Sequence, residues 1–456
     1  MTSLLLINAV FTFTATARRI REGDPVKIDF DPALKGGIPS ISIEPLEKGE
    51  DFNGEIIIYF YAWEGKEIPL ETRTISGKEK FSMKLPTRGK EDILGVRVEI
   101  KKTPDAKAEK VCDWRAMYFP EGKAIDYTGS PDLWKPEDFD QYWNEAKTKL
   151  SWVDPEPQFK LVPKKETETG RLYRVIINSY WNLPIVCWYY VPKDVDPLHP
   201  ESIKKKYPAI QIMPGWGAEE PPQDRTAEGY ITLSVNPKSH GPSQKYFKTP
   251  IDHHLWNIDI PEDYYYRAAF MDCIRGIDFL CSRPEVDAER IGVEGGSQGG
   301  AFALAMGGLD QRVSCVAANV PYIVNFPDFS RVSTLGSGYI YMKLAEGPHK
   351  GKRVSEKWNS VDQFNRKNQG TDKGARIRKT LGYVDIANHV TNISVPTLVC
   401  VGRQDPVCPP INGIVAINRI SEDVPKKLFI DKEAEHENSA LMRKQQRSWF
   451  EQHLKN

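Results

Sequence analysis

Six consecutive residues constrain this chain more than any others: Gly295-Gly296-Ser297-Gln298-Gly299-Gly300. They fall between a β-rich run ending at Val293 and an apolar helix-forming stretch that starts near Gln298. A serine in a G-x-S-x-G turn between strand and helix must take a cramped backbone conformation, which neighbours with side chains would obstruct. The turn lifts the hydroxyl of Ser297 clear and sets it at the positive end of the next helix. The backbone N–H of Gln298 then points at any oxyanion forming there. Glycine-rich turns containing serine are common, but the flanking strand and helix favour a nucleophile here.

A serine hydroxyl alone is a poor nucleophile, so a base and an orienting acid are needed, in the chain order Ser, Asp or Glu, His. Asp405 follows the run Thr397-Leu398-Val399-Cys400-Val401, within Gly402-Arg403-Gln404-Asp405-Pro406-Val407-Cys408-Pro409-Pro410. A carboxylate just past the carboxyl end of a parallel strand shares the sheet edge that carries Ser297. A turn aspartate before proline is the plainer reading; Asp423 and Asp431 are weaker rivals. Of the eight histidines, only His436 and His453 come after Asp405, and His453 lies in the chain terminus. Order selects His436 as base toward Ser297 and then acid toward the leaving group, with Asp405 holding its tautomer.

The second oxyanion donor is expected in the loop Pro214-Gly215-Trp216-Gly217, with the N–H of Trp216 as candidate. A packed tryptophan in an ordinary loop is the rival reading. Lys238, His240 and Arg403 are candidates for the substrate pocket, although a loop histidine and a surface arginine are the simpler readings of the last two. Asp252-His253-His254 suggests a metal at first sight, but adjacent histidines without further ligands at a useful spacing do not make one.

The 456 residues exceed one ordinary core, so two domains are expected. Residues 1–130 read as a small all-β domain. Val96, Val98 and Ile100 alternate with Arg97 and Glu99, Lys78 to Pro86 alternates again, and Ile56 to Tyr61 is a buried run. Short strands without helices between them suggest an immunoglobulin-like sandwich. Gly129-Ser130-Pro131 is a turn-rich linker, and residues 131–456 form the second domain. A helix starts near Pro136, with Phe139, Tyr142 and Trp143 on one face. From about 205, strands near 207–213, 230–235, 290–293, 313–318, 397–401 and 427–430 alternate with helices near 263–282, 298–307, 411–420 and 438–453. That order builds a mainly parallel sheet covered on both faces. An irregular insertion spans about 326–380.

Lysine plus arginine and aspartate plus glutamate both number 62, so no net field draws nucleic acid or anionic membrane. No run has the length of a membrane span. Seven dispersed cysteines give no disulfide framework and no zinc spacing. The apolar run Leu4 to Phe11 followed by Ala15-Thr16-Ala17 reads either as a first strand or as a signal segment over residues 1–17. The latter implies a periplasmic or secreted protein, the former a cytoplasmic one.

Tyr264-Tyr265-Tyr266-Arg267, Asp272-Cys273-Ile274-Arg275, Ser282-Arg283-Pro284-Glu285-Val286-Asp287 and Glu289-Arg290-Ile291-Gly292-Val293-Glu294 lead into the serine motif. With Pro136-Glu137-Asp138-Phe139, Leu381-Gly382-Tyr383-Val384-Asp385, Asp405 to Pro410 and His436-Glu437, they resemble the acetyl xylan esterase and cephalosporin-C deacetylase family, carbohydrate esterase family seven, over about 132–456. The resemblance implies an α/β-hydrolase fold, a triad of Ser297, Asp405 and His436, and deacetylation of sugars without a cofactor. Lys238-Ser239-His240 stands where the family has Arg-Gly-Gln, and Pro214-Gly215-Trp216 where it has His-Gly-Tyr. Both bear on the acyl group and the sugar. Relatives with the hydrolase domain alone form compact hexamers; the added β domain leaves this chain's assembly open.

The expected function is a serine esterase acting on a carbohydrate ester, removing acetyl groups from plant-type polysaccharides or oligosaccharides. The alternative is a pectin-type methyl esterase on the same triad, with Lys238 and Arg403 meeting a uronate. A peptidase of the prolyl-oligopeptidase type would need a propeller, for which the β region is too short. A non-catalytic glycan-binding protein is the third reading.

Overall fold

The computed structural model describes residues 25–455 apart from 47–53, 65–66, 104, 218–220, 251–252 and 334–369. The expected signal segment 1–17, Asp252 and most of the 326–380 insertion lie outside the described residues.

Seven strands come first: β1 (Val26–Asp31), β2 (Ser40–Pro45), β3 (Glu55–Trp63), β4 (Glu67–Ser76), β5 (Phe81–Lys84), β6 (Asp92–Lys101) and β7 (Glu109–Tyr118). They form two antiparallel sheets, ordered β1-β2-β5 and β4-β3-β6-β7. The period-2 pattern is the cause. In β6, Val96, Val98 and Ile100 are buried while Arg97 and Glu99 stay partly exposed, so one face of the strand must find an apolar partner. Both sheets supply that partner to each other, since Ile28, Phe30 and Ile43 share one core with Ile56, Phe60, Val98 and Trp114.

A nine-stranded sheet follows. Its strands are β8 (Gln158–Leu161), β9 (Gly170–Ser179), β10 (Leu183–Pro192), β11 (Tyr207–Met213), β12 (Ile231–Asn236), β13 (Val286–Gly296), β14 (Val313–Asn319), β15 (Thr397–Gly402) and β16 (Lys426–Asp431). In space they run β16-β15-β14-β13-β11-β12-β10-β9-β8. The six strands from β11 onward are mutually parallel, and β8, β9 and β10 add an antiparallel edge. The sequence reading assigned no strands to 158–192, which is a correction. β10 is almost wholly apolar, because it is covered on both faces, and so carries no alternation to detect.

The helices that matter for the site are α1 (Phe139–Ser151), α2 (Tyr265–Ser282), α3 (Gln298–Leu309), α4 (Phe326–Val332), α5 (Asp372–Val384), α6 (Pro410–Arg419) and α7 (Ala440–Leu454). α2 and α3 are buried almost all round, as expected of helices packed within the body of a large core. Phe139 and Trp143 of α1 join that core with Phe270, Phe302 and Val293. Among the described residues no helix is long and apolar enough to cross a membrane.

The strand order fixes where a site can form. From β11 the chain steps to β12 on one side, then returns to place β13 to β16 on the other. A crevice opens where the order reverses, beyond the carboxyl ends of β11 and β13. The Trp216 loop leaves β11 there, and Ser297 leaves β13.

Candidate active site

Ser297 connects β13 to α3 with φ 57° and ψ −119°. This conformation is costly for a residue with a side chain, by about 1–3 kcal/mol, and the backbone around it is fixed at three points. The N–H of Ser297 donates to the Asn319 carbonyl at 3.0 Å; its own carbonyl accepts from Ala301 and Tyr322 at 3.1 Å each. The flanking glycines do not contribute equally. A Cβ on Gly299 would stand 2.0 Å from the Met213 carbonyl oxygen, and one on Gly295 would stand 2.3 Å from that of Gly299. Gly296 has open space around it, so the expected crowding holds at 295 and 299 but not at 296.

The residues chosen by chain order meet in space. Ser297 Oγ lies 3.0 Å from His436 Nε2, and His436 Nδ1 lies 2.8 Å from Asp405 Oδ2. The other carboxylate oxygen of Asp405 accepts from the backbone N–H groups of Val407 and Cys408, at 2.8 Å each. The carboxylate is thus fully buried and fully bonded, which fixes its direction. Burial opposes charge on His436, but the Asp405 carboxylate beside it outweighs this and lifts the imidazole well above its ordinary range. Cys408, one of the seven dispersed cysteines, adjoins both His436 and Ser297, and burial pushes its pKa up. A thiol in that state is uncharged at neutral pH.

Gln298 opens α3, and its side chain is held from three sides. Oε1 accepts from His253 Nε2 and from the Tyr266 hydroxyl, both at 3.1 Å, while Nε2 donates to His240 Nε2 at 2.8 Å. His240 therefore carries its proton on Nδ1, which faces the Tyr265 hydroxyl at 2.7 Å; that hydroxyl donates to the Lys238 carbonyl at 2.7 Å. Burial, and then the neighbouring histidines, hold His253 well below its ordinary pKa, which keeps it neutral in this chain of bonds. The His253-His254 pair, weighed in the sequence only as a metal site, is thus a wall beneath Gln298. Among the described residues no cluster of His, Cys, Asp and Glu could hold a metal ion.

The loop carrying Trp216 lies against the elbow, since a Cβ on Gly215 would stand 3.4 Å from the Gly296 carbonyl. The Trp216 indole packs over His254 at 4.4 Å and 17° and over His253 at 4.2 Å, leaving it 37% exposed. His240 is buried and bonds to the Gln298 side chain.

Two pocket candidates are corrected. Lys238 is fully buried, its ammonium paired with Asp272 and its backbone N–H donating to the same carboxylate at 2.9 Å. An ion without other compensation that deep needs a carboxylate of its own chain. Arg403 pairs with Asp29 in the N-terminal sheets, at 2.9 and 3.2 Å.

A serine on a strained strand-to-helix turn at the switch point of a mainly parallel sheet, with aspartate and histidine after the last two strands, defines an α/β-hydrolase. The chain belongs to the acetyl xylan esterase family, whose model "Acetyl xylan esterase (AXE1)" matches residues 124–454, and it is a carboxylic ester hydrolase. It is 28% identical over 346 residues to the acetyl esterase Axe7A of Xylanibacter ruminicola, covering 72% of this chain and 70% of that one. Among solved structures it resembles an acetyl xylan esterase from Paenibacillus sp. R4, at 26% identity and TM-score 0.59 over 73% of this chain and 98% of the other. Acetyl xylan esterase 1 from Thermoanaerobacterium sp. JW/SL YS485 shares the fold, at 22% identity and TM-score 0.59 over 72% and 96%. The N-terminal sheets precede the family match.

Proposed function

We propose that this chain removes acetyl groups from plant-type polysaccharides or oligosaccharides through an acyl-enzyme on Ser297. The observation that carries the reading is the unbroken line from Ser297 Oγ through His436 to Asp405, at 3.0 and 2.8 Å. His436 Nε2 takes the hydroxyl proton as Ser297 Oγ attacks the ester carbonyl. The backbone N–H groups of Gln298 and Trp216 receive the oxyanion. His436 then returns the proton to the departing sugar oxygen as the C–O bond breaks, leaving acetyl on Ser297. Water repeats the sequence and releases acetate. The acetyl group as the acyl unit is supported by the family and by the acetyl esterase relative.

The methyl-esterase alternative drew on Lys238 and Arg403 as partners of a uronate. Both cations are paired with this chain's own carboxylates, so nothing at the site favours that reading over the first. The test is product analysis: acetate released from acetylated xylan, and none after Ser297→Ala, is expected. Methanol from methylated pectin without acetate from xylan would overturn the acetyl reading.

A further inference from the structure

Asp405 is the last residue of a short run, Arg403-Gln404-Asp405, whose first two members are bound from outside the hydrolase fold. Gln404 is 1% exposed, and each of its polar groups has a partner. Its side-chain Nε2 donates to Asp29 at 2.8 Å, its Oε1 accepts from the Phe30 N–H at 3.4 Å, and its carbonyl accepts from the Trp114 indole N–H at 3.2 Å. All three come from the N-terminal sheets. The backbone N–H of Gln404 donates the other way, to the Ala434 carbonyl at 3.1 Å, on the loop that carries His436.

The third of those bonds matters most. The Gln404 carbonyl belongs to the same rigid peptide unit as the Asp405 nitrogen, so the indole N–H of Trp114 sets the plane from which the Asp405 side chain departs. Trp114 is itself fixed. It is 1% exposed and stacks on Phe30 at 5.6 Å with 6° between the rings. Arg403 adds a charge-assisted clamp to Asp29 beside it.

We infer that the N-terminal β domain is a working part of the catalytic apparatus, with Trp114, Asp29 and Gln404 as positioning residues that act through Asp405 on His436. This rests on the proposed triad, but its test fails separately from that reading. A displacement of order 1 Å at a reacting group can cost about 100-fold in rate, so losing one of these bonds is expected to lower turnover without weakening substrate binding.

The experiment uses the full chain. Trp114→Phe keeps a ring on Phe30 and removes the indole N–H together with part of the buried ring volume; Asp29→Asn sits on a partly exposed side chain and keeps an oxygen for Gln404. Arg73→Ala, on the far edge strand β4, is the control. The expected result for Trp114→Phe is a kcat lower by about 10- to 100-fold with KM unchanged. The acid limb of kcat/KM moves to lower pH as His436, which faces Asp405, Cys408 and Ser297, loses the carboxylate's support. The loss should also vanish when Trp114→Phe is placed on an Asp405→Asn background, because the route to the base is already cut. Wild-type kcat in both variants overturns the inference. So does an undiminished loss on the Asp405→Asn background, or a loss that tracks the unfolded fraction measured by circular dichroism at the assay temperature. Turnover surviving in Ser297→Ala would instead sink the triad itself.

Discussion

In the proposed mechanism Ser297, His436 and Asp405 each have one role, and the local structure fits each of them. The strained φ of 57° at Ser297 is held by backbone bonds from β14, α3 and Tyr322, so the hydroxyl faces His436 and not the core. Ser297→Ala removes no packing and should leave the fold intact while lowering the chemical step by several orders of magnitude, as measured by p-nitrophenyl acetate turnover. Asp405→Asn should lower kcat by about 10,000-fold, since the amide no longer selects the imidazole tautomer. It should also move the acid limb of kcat/KM to lower pH. The carboxylate is what raises His436, and a base with a lower pKa is freed of its proton earlier as pH rises.

The elements are arranged by close approach. Gly299 lets α3 pass within contact of the Met213 carbonyl at the end of β11, and Gly296 has no such neighbour. Gly299→Ala should therefore destabilise by about 3 kcal/mol or more, while Gly296→Ala should cost less than about 1 kcal/mol, both measured by urea unfolding. The parallel strands and the order Ser, Asp, His were legible in the sequence because short apolar runs there alternate with helices and each candidate residue follows a strand. β10 was not, because burial on both faces erases the period, and neither was the role of His253. Its bond to Gln298 joins residues 45 apart and leaves no local signature. Lys238 and Arg403 were misread for a related reason: their partners, Asp272 and Asp29, are 34 and 374 positions away, and sequence spacing carries no trace of such pairings.

At the scale of the whole molecule, the N-terminal region is joined to the hydrolase core. Leu34, Ile93 and Met117 of the N-terminal region pack into the main hydrolase core, and Tyr127 and Ser130 bond to Asp328 and Asn325 at 2.7 and 3.1 Å. The N-terminal sheets and the hydrolase fold are therefore joined across a bonded surface, as the inferred route to Asp405 requires. Buried histidines couple the stability of this assembly to pH. Burial holds His389 down at about 3 from an ordinary 6.5, and His253 is held low as well. At these two rings the unfolded chain binds more protons than the folded one below pH 6.5, so their contribution to stability is present above that pH and is lost as pH falls toward 3; Asp385, which burial raises to about 6, contributes in the opposite direction over the same range. His389 alone should cost roughly 3 kcal/mol by about pH 4.5. Thermal melts between pH 7 and 4.5 should lose less of their midpoint in His389→Gln than in the wild type; an unchanged pH slope in the variant would contradict the burial of this ring.

The account turns on a covalent acetyl group passing through Ser297. Rapid acid quench during turnover of an acetylated xylo-oligosaccharide, followed by peptide mass spectrometry, reads this directly. One acetyl group on the peptide containing Ser297, absent from Ser297→Ala and not formed at turnover rate when His436 is replaced, is the predicted result. Hydrolysis that continues in Ser297→Ala, or an acetyl group carried by another side chain at turnover rate, would contradict it.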